Sequence, residues 1–219
     1  MRLPLAPEGW PFVLVFAVLG LLTALFVRPW LAVFPLLVMA FMVFFFRDPE
    51  RVIPPGAETV VSPADGRVLS VKAVMEDQYL NREMVMVAIF MSPMDVHVNR
   101  APMAGRVETV VHTPGRFVAA YREEASMENE RIDMVMEGKA GRILVRQVAG
   151  LLARRAVCRV KPGDTLEKGE RYGVIKFGSR LDIYLPLGTE ILVDKDERVY
   201  AGSTIVGRLP DSFSGGTGP

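Results

Sequence analysis

The chain has 219 residues, half of them hydrophobic, and a formal net charge of +1. That length allows one ordinary domain, and the near-neutral charge argues against nucleic-acid binding, which needs a basic surface. A single cysteine, Cys158, excludes an internal disulfide and a thiolate metal cluster, so the soluble part reads as cytosolic.

The apolar residues concentrate at the amino end. Residues 10–27 and 29–46 are almost wholly apolar and are separated by Arg28. At 1.5 Å per residue, about 18 residues reach roughly 27 Å, close to the apolar thickness of a bilayer. Residues 1–46 are therefore expected to form a membrane-anchoring helical hairpin that turns at Arg28 and Pro29. With Arg2, Arg47 and Arg51 on one side, the positive-inside bias predicts a cell-membrane protein whose remaining residues face the cytoplasm. Pro11, Pro29, Pro35 and the charge of Arg28 leave open a shallower hairpin that lies in one leaflet. A cleaved signal peptide has one short apolar core, which two long apolar runs match poorly.

Residues 47–58 begin RDPERVIPPG, a charged and proline-rich stretch expected to be a linker. From 59 to 209 short β-type runs alternate with turn residues. TVVSPADG, RVLSVKAV, MVMVAIFM, RVETVVHTPG, RIDMVMEG, GRILVRQVAG and STIVGRL are examples, and together they predict a mainly β (α+β) domain. Helix is expected only over 151–156, with a turn or two near 119–130. VKPGD at 160–164 followed by EKGE at 167–170 resembles the turns of hammerhead β-barrels, as in biotinyl and lipoyl domains. Lys176 lacks the flanking residues of a modified carrier lysine and reads as a strand lysine facing solvent. The tail 210–219 is rich in glycine and serine and is expected to be flexible.

Phe177, Gly178 and Ser179 lie between two apolar runs. A Gly-Ser pair in a β protein is ordinarily a turn or bulge. A serine that follows glycine is also able to attack the preceding carbonyl, because no side chain obstructs its hydroxyl. The peptide then becomes an ester, elimination leaves dehydroalanine, and hydrolysis with loss of ammonia leaves a pyruvoyl group. Its ketone forms a Schiff base with a substrate amine and accepts the electrons left by departing carbon dioxide. Such chemistry needs a base, oxyanion donors and a proton donor. The chain offers His97, His112 and the acidic turn SPADG at 62–66.

SPADG at 62–66, FMSPMDVHVNRAP at 90–102, TPG at 113–115, NER at 129–131 and FGSR at 177–180 occur in an order and spacing that resemble phosphatidylserine decarboxylase. The likeness covers nearly all of 59–209 and looks like the short form of that pyruvoyl-dependent family. It implies a zymogen cut between Gly178 and Ser179 into a β chain, 1–178, and an α chain, 179–219, that stay associated. The implied cofactor is a covalent pyruvoyl group derived from Ser179, without metal or pyridoxal phosphate. The implied substrate is a membrane phospholipid, phosphatidylserine, converted to phosphatidylethanolamine in phospholipid biosynthesis. By the same resemblance Asp65 falls where longer members place an acid used in self-cleavage, and His97 on the histidine that serves decarboxylation.

One element departs from the pattern. Longer members carry a second histidine three residues after the first, where this chain has Arg100, which stays protonated and cannot act as a base. That leaves Asp65 acting directly or through water, or His112 moved into the role. SPADG also has a plain reading as a turn, His97 as a core histidine, and NER as either a loop-ordering element or a surface ion pair. Rival functions are decarboxylation of another serine-headgroup lipid, such as the archaeal ether analogue, and a non-catalytic membrane adaptor. A homo-oligomer is compatible with the sequence.

Overall fold

The computed structural model describes residues 4–122, 124–139, 141–150, 156–176 and 178–210. The chain forms two compact units, residues 1–50 and 51–219.

The first unit is a pair of apolar helices. A 3-10 turn, Pro7–Gly9, runs into α1 (Trp10–Phe26), and a second, Pro29–Ala32, runs into α2 (Val33–Phe45). Proline opens each turn, where its missing N–H would have no intrahelical partner. The helices meet at Gly20, whose missing side chain leaves room for Leu36 and Pro35. Leu14, Val18, Leu21, Leu25 and Phe26 point outward, an apolar surface that a helix pair in water would hide. Pro7–Phe26 is long and apolar enough to cross a membrane, whereas Pro29–Phe45 is a shorter apolar helix.

The second unit is built of antiparallel strands. They are β1 (Thr59–Val61), β2 (Gly66–Glu76), β3 (Arg82–Met91), β4 (Val98–Arg100), β5 (Gly105–Thr113), β6 (Arg131–Gly138) and β7 (Gly141–Val148). After them come β8 (Ala156–Cys158), β9 (Thr165–Leu166), β10 (Arg171–Ile175), β11 (Ser179–Pro186), β12 (Glu190–Ile191), β13 (Arg198–Val199) and β14 (Ile205–Arg208). Eight of them make one curled half-barrel in the order β13-β2-β3-β11-β7-β6-β5-β9. The others make two small sheets, β1-β14-β12 and β4-β10-β8. A single helical turn, α3 (Ala125–Glu128), interrupts the long connection from β5 to β6. The expected fold class, a mainly β domain after an apolar helical hairpin, is the one the chain adopts. Of the helix expected over 151–156, residues 151–155 lie outside the described residues, and Ala156 opens β8. Residues 211–219 of the tail also lie outside them.

Strand β11 is the axis of the half-barrel and is buried along its whole length. Successive side chains of a strand point to opposite faces. Leu181, Ile183 and Leu185 therefore join the main core with Val87, Ile89, Met134 and Val145. On the other face Tyr184 packs with Met84, Met86 and Leu144. Full burial of each such aliphatic side chain stabilises the fold by roughly 1.5–3 kcal/mol.

Candidate active site at three sheet crossings

In the half-barrel β3, β11 and β7 are neighbours in that order, and in one small sheet β4, β10 and β8 are neighbours in the same order. The chain passes from one of these sheets to the other after Met91, after Val148 and before Ser179, and the described residues of these crossings are 92–97, 149–150, and 176 with 178. Pairing sets the ends of the three crossings side by side. Ser179 pairs with Met91 and Arg180 with Val148, while Val174 pairs with Val98 and Ile175 with Ala156. Lys176 and Gly178 belong to the middle crossing.

Gly178 has φ +70°, in the left-handed region that glycine alone adopts freely. A Cβ built there would meet nothing within 4 Å, so it is the dihedral, not crowding, that demands glycine. Ser179 is fully buried. Among the described residues its hydroxyl donates to Met91 Sδ at 3.5 Å, and a thioether is a weak acceptor. Asn99 Nδ2 stands 3.8 Å from the same sulfur, and Asn99 Oδ1 accepts from Gln147 Nε2 at 2.8 Å. The Ser179 hydroxyl thus has one weak acceptor among the described residues.

His97 closes the crossing 92–97. Its carbonyl accepts from the Ile175 N–H at 3.3 Å, which sets it beside the residues just before Gly178. The ring is buried, with Nδ1 2.9 Å from the Asp95 carbonyl oxygen. A carbonyl only accepts, so Nδ1 carries a proton and Nε2 is the nitrogen that takes one up or gives it away. The Asp95 carboxylate holds this turn, accepting from the Ser92 N–H at 2.9 Å and from Arg198 at 2.6 Å.

Asp65 lies on another crossing, residues 62–65, between β1 and β2. Arg51 donates to its Oδ2 at 2.7 Å and the Ala201 N–H to its Oδ1 at 2.8 Å. Burial pushes the carboxyl above its ordinary value; the Ala201 N–H and Arg51 pull it down, and nearby Asp95 pushes it up again. Since β2, β3 and β11 are consecutive, the Asp65 end of β2 is two strand spacings, roughly 10 Å, from the Ser179 backbone. Arg100 secures the same turn: its N–H donates to Pro63 O and its guanidinium to Gly169 O, both at 3.0 Å. His112 stands on β5, three places from β11, half exposed, with Nε2 3.3 Å from Glu130. The structure thus ties the His97 backbone to Ile175 at the end of β10, sets Asp65 two strands from Ser179, and leaves His112 three strands from it. No group of three metal-ligating side chains occurs among the described residues.

A family model described as phosphatidylserine decarboxylase matches residues 38–207. Two phosphatidylserine decarboxylase proenzymes, from Geotalea uraniireducens (strain Rf4) and Geobacter sp. (strain M21), are 46% and 50% identical over 208 and 216 residues. Each alignment covers 94% of this chain and 97% of the relative. A third, from Carboxydothermus hydrogenoformans, is 46% identical over 92% of this chain and 95% of its own. The chain belongs to the phosphatidylserine decarboxylase family. It is accordingly a carboxy-lyase.

Several residues that shape this decarboxylase site carry no sequence signature of their own. Asn129 is fully buried; its amide takes the Val118 N–H and donates to the carbonyls of Val118 and Ala149. The NER motif therefore orders the loop that packs on the crossing after β7. Its arginine, Arg131, pairs with buried Asp133. On the face of β11 away from Ser179, Arg180 Nε and Ser126 Oγ both donate to fully buried Asp182 at 2.6 Å. Cys158 is half-buried and burial pushes its thiol up, as suits a small packing residue.

Proposed function

We propose that this chain is a proenzyme that cuts its own Gly178–Ser179 bond and, with the pyruvoyl group made from Ser179, decarboxylates phosphatidylserine to phosphatidylethanolamine. The observation that carries this reading is the middle crossing itself. It joins a left-handed glycine to a buried serine whose hydroxyl is held by a thioether alone among the described residues.

In this reading the Ser179 hydroxyl attacks the Gly178 carbonyl carbon, the C–N bond breaks and an ester forms. Residue 179 then loses its α-hydrogen, and Oγ departs with the Gly178 carboxylate. The dehydroalanine end takes up water and releases ammonia. The resulting group retains Cα and Cβ of residue 179 and adds no bulk, so it fits the space the buried serine fills. When present it supplies a ketone for the substrate amine and a sink for electrons.

Asp65 draws the hydroxyl proton through bound water, because roughly 10 Å of sheet separates the backbones and its direct hydrogen bonds go to Arg51 and Ala201. His97 supplies from Nε2 the proton that replaces carbon dioxide. The α chain, 179–219, stays with the β chain, 1–178, through β11, which is paired on both edges. The apolar helix pair holds the enzyme at the membrane that contains its substrate, which raises the rate of encounter. Arg47 and Arg51 put the catalytic unit on the cytoplasmic side by the positive-inside bias.

Mass spectrometry of the purified chain tests the reading. Two polypeptides are expected, the smaller with a blocked end lighter than serine would give; one intact chain with unchanged Ser179 sinks it. His97→Ala is expected to leave cleavage in place and lower turnover by about 10²–10⁴-fold. Loss of cleavage in that variant would reassign His97 to maturation.

A further inference from the structure

Gly150 follows β7 on the outer crossing beside residues 176–178. Its φ lies outside the left-handed region, so its backbone suits any residue. Space is what demands glycine: a Cβ built there would overlap the Gly178 carbonyl oxygen, with Ala120 Cβ 3.3 Å away on another side. The hydrogen that a side chain would replace points at that oxygen, in the manner of the weak Cα–H···O=C contacts between strands.

The wall behind Gly150 is fixed. The Ala149 N–H donates to Glu130 O at 2.9 Å, and the Ala149 carbonyl accepts from Asn129 Nδ2 at 2.7 Å. Asn129 in turn holds Val118 by both backbone groups. The peptide before Gly150 is therefore pinned to the loop that carries Ala120. A group added to Gly150 would therefore push against the Gly178 carbonyl, the nearest atom to it.

We propose that Gly150 and Ala120 form a slot that holds the Gly178 carbonyl in position for attack by Ser179, and that Gly150 is a positioning residue for self-cleavage. The proposal rests on the self-cleavage reading above. It divides the work between two glycines. Gly178 gives the scissile peptide its dihedral, and Gly150 gives its oxygen a place to lie. The attack itself needs no further reagent, since the hydroxyl proton, drawn off toward Asp65 through water, is returned to the leaving amide nitrogen as the ester forms.

The test follows full-length Gly150→Ala on denaturing gels beside the unmodified chain. A displacement of the reacting carbonyl by about 1 Å slows reaction about a hundredfold, and that loss is expected in the rate at which fragments 1–178 and 179–219 appear, with circular dichroism unchanged. Hydroxylamine, which cleaves esters, supplies a readout that a merely structural role would not move. If the slot positions the carbonyl for attack, no ester accumulates and hydroxylamine releases no fragments from folded Gly150→Ala. Release of fragments would mean that attack proceeds and the slot acts later, which overturns the proposal, as does cleavage at the unmodified rate. Should Gly150→Ala fail to fold, Ala120→Gly removes the other wall without touching a strand. About tenfold slower cleavage is then expected, and an unchanged rate overturns the slot. An unmodified chain that never cuts would refute the self-cleavage reading rather than the slot.

Discussion

The two faces of β11 come from one strand and differ in kind. Toward the core, Leu181, Ile183 and Leu185 form an apolar row that ends in Ser179. On the opposite face Arg180, Asp182 and Tyr184 are just as buried but knitted together: Arg180 pairs with Asp182, Ser126 donates to Asp182, and Arg146 donates to Tyr184 and pairs with Asp133. That face also floors a cavity of about 380 Å³ lined by Arg146, Arg180 and Tyr184. The difference teaches that the same burial serves two ends. A hydroxyl at the end of an apolar row meets few strong partners. A row of paired charged groups holds the strand in place, as the proposed cleavage at its first residue would require.

The largest effect expected on this comparison is from Ser179→Ala, which makes the core face wholly apolar. Cleavage and decarboxylation should both vanish, on gels and in a lipid assay, while the fold persists; a cut or active variant would remove the serine from the chemistry. Asp182→Ala breaks the other face, leaving the Arg180 guanidinium buried beside no carboxylate. Loss of one partner of a buried pair destabilises by about 3–5 kcal/mol, to be read from denaturant unfolding, and a loss under 1 kcal/mol would deny that the charged row anchors the strand. Asn129→Ala removes three hydrogen bonds at the loop. Buried backbone groups left unsatisfied should lower stability by about 1–3 kcal/mol and slow cleavage with it.

The smallest effect concerns pH. Arg51 pulls the buried Asp65 carboxyl down, so Arg51→Ala leaves it raised further and ionised only at higher pH. If ionised Asp65 is the base, the rising limb of the cleavage–pH profile moves toward higher pH, with the plateau little changed. A profile that stays put would show that another group titrates. The comparison is sharpened either way, since the proposed proton path from Asp65 leads to the core-face serine and not to the charged row.

The class of the fold was legible in local pattern. Strand-like alternation with turn residues marked the β domain, and the long apolar runs marked the helix pair, because each signal is written in neighbouring residues. The two apolar runs matched in length in the sequence, yet only Pro7–Phe26 forms a helix long enough to cross a membrane. FGSR and DVH could be quoted as motifs, but nothing in their spacing told that Ser179 would pair with Met91 or that Ile175 would donate to the His97 carbonyl. The alternatives left for the missing histidine were narrowed only in space, where His112 sits three strands from β11 and Asp65 two.

By itself the sequence determined which residue types were available: one Gly-Ser pair between apolar runs, two histidines, an acidic turn and an arginine where a base was expected. Tertiary structure decided which of them meet. Gly150 has no motif and its backbone needs no glycine, so its requirement arises wholly from a carbonyl 28 positions away in the chain. The fate of Asn99, Gln147 and Asn129 was equally invisible, because a buried amide declares itself only through partners that strand pairing brings to it. Periodicity is a property of neighbours, whereas the site around Ser179 is made where strands distant in sequence cross from one sheet to another.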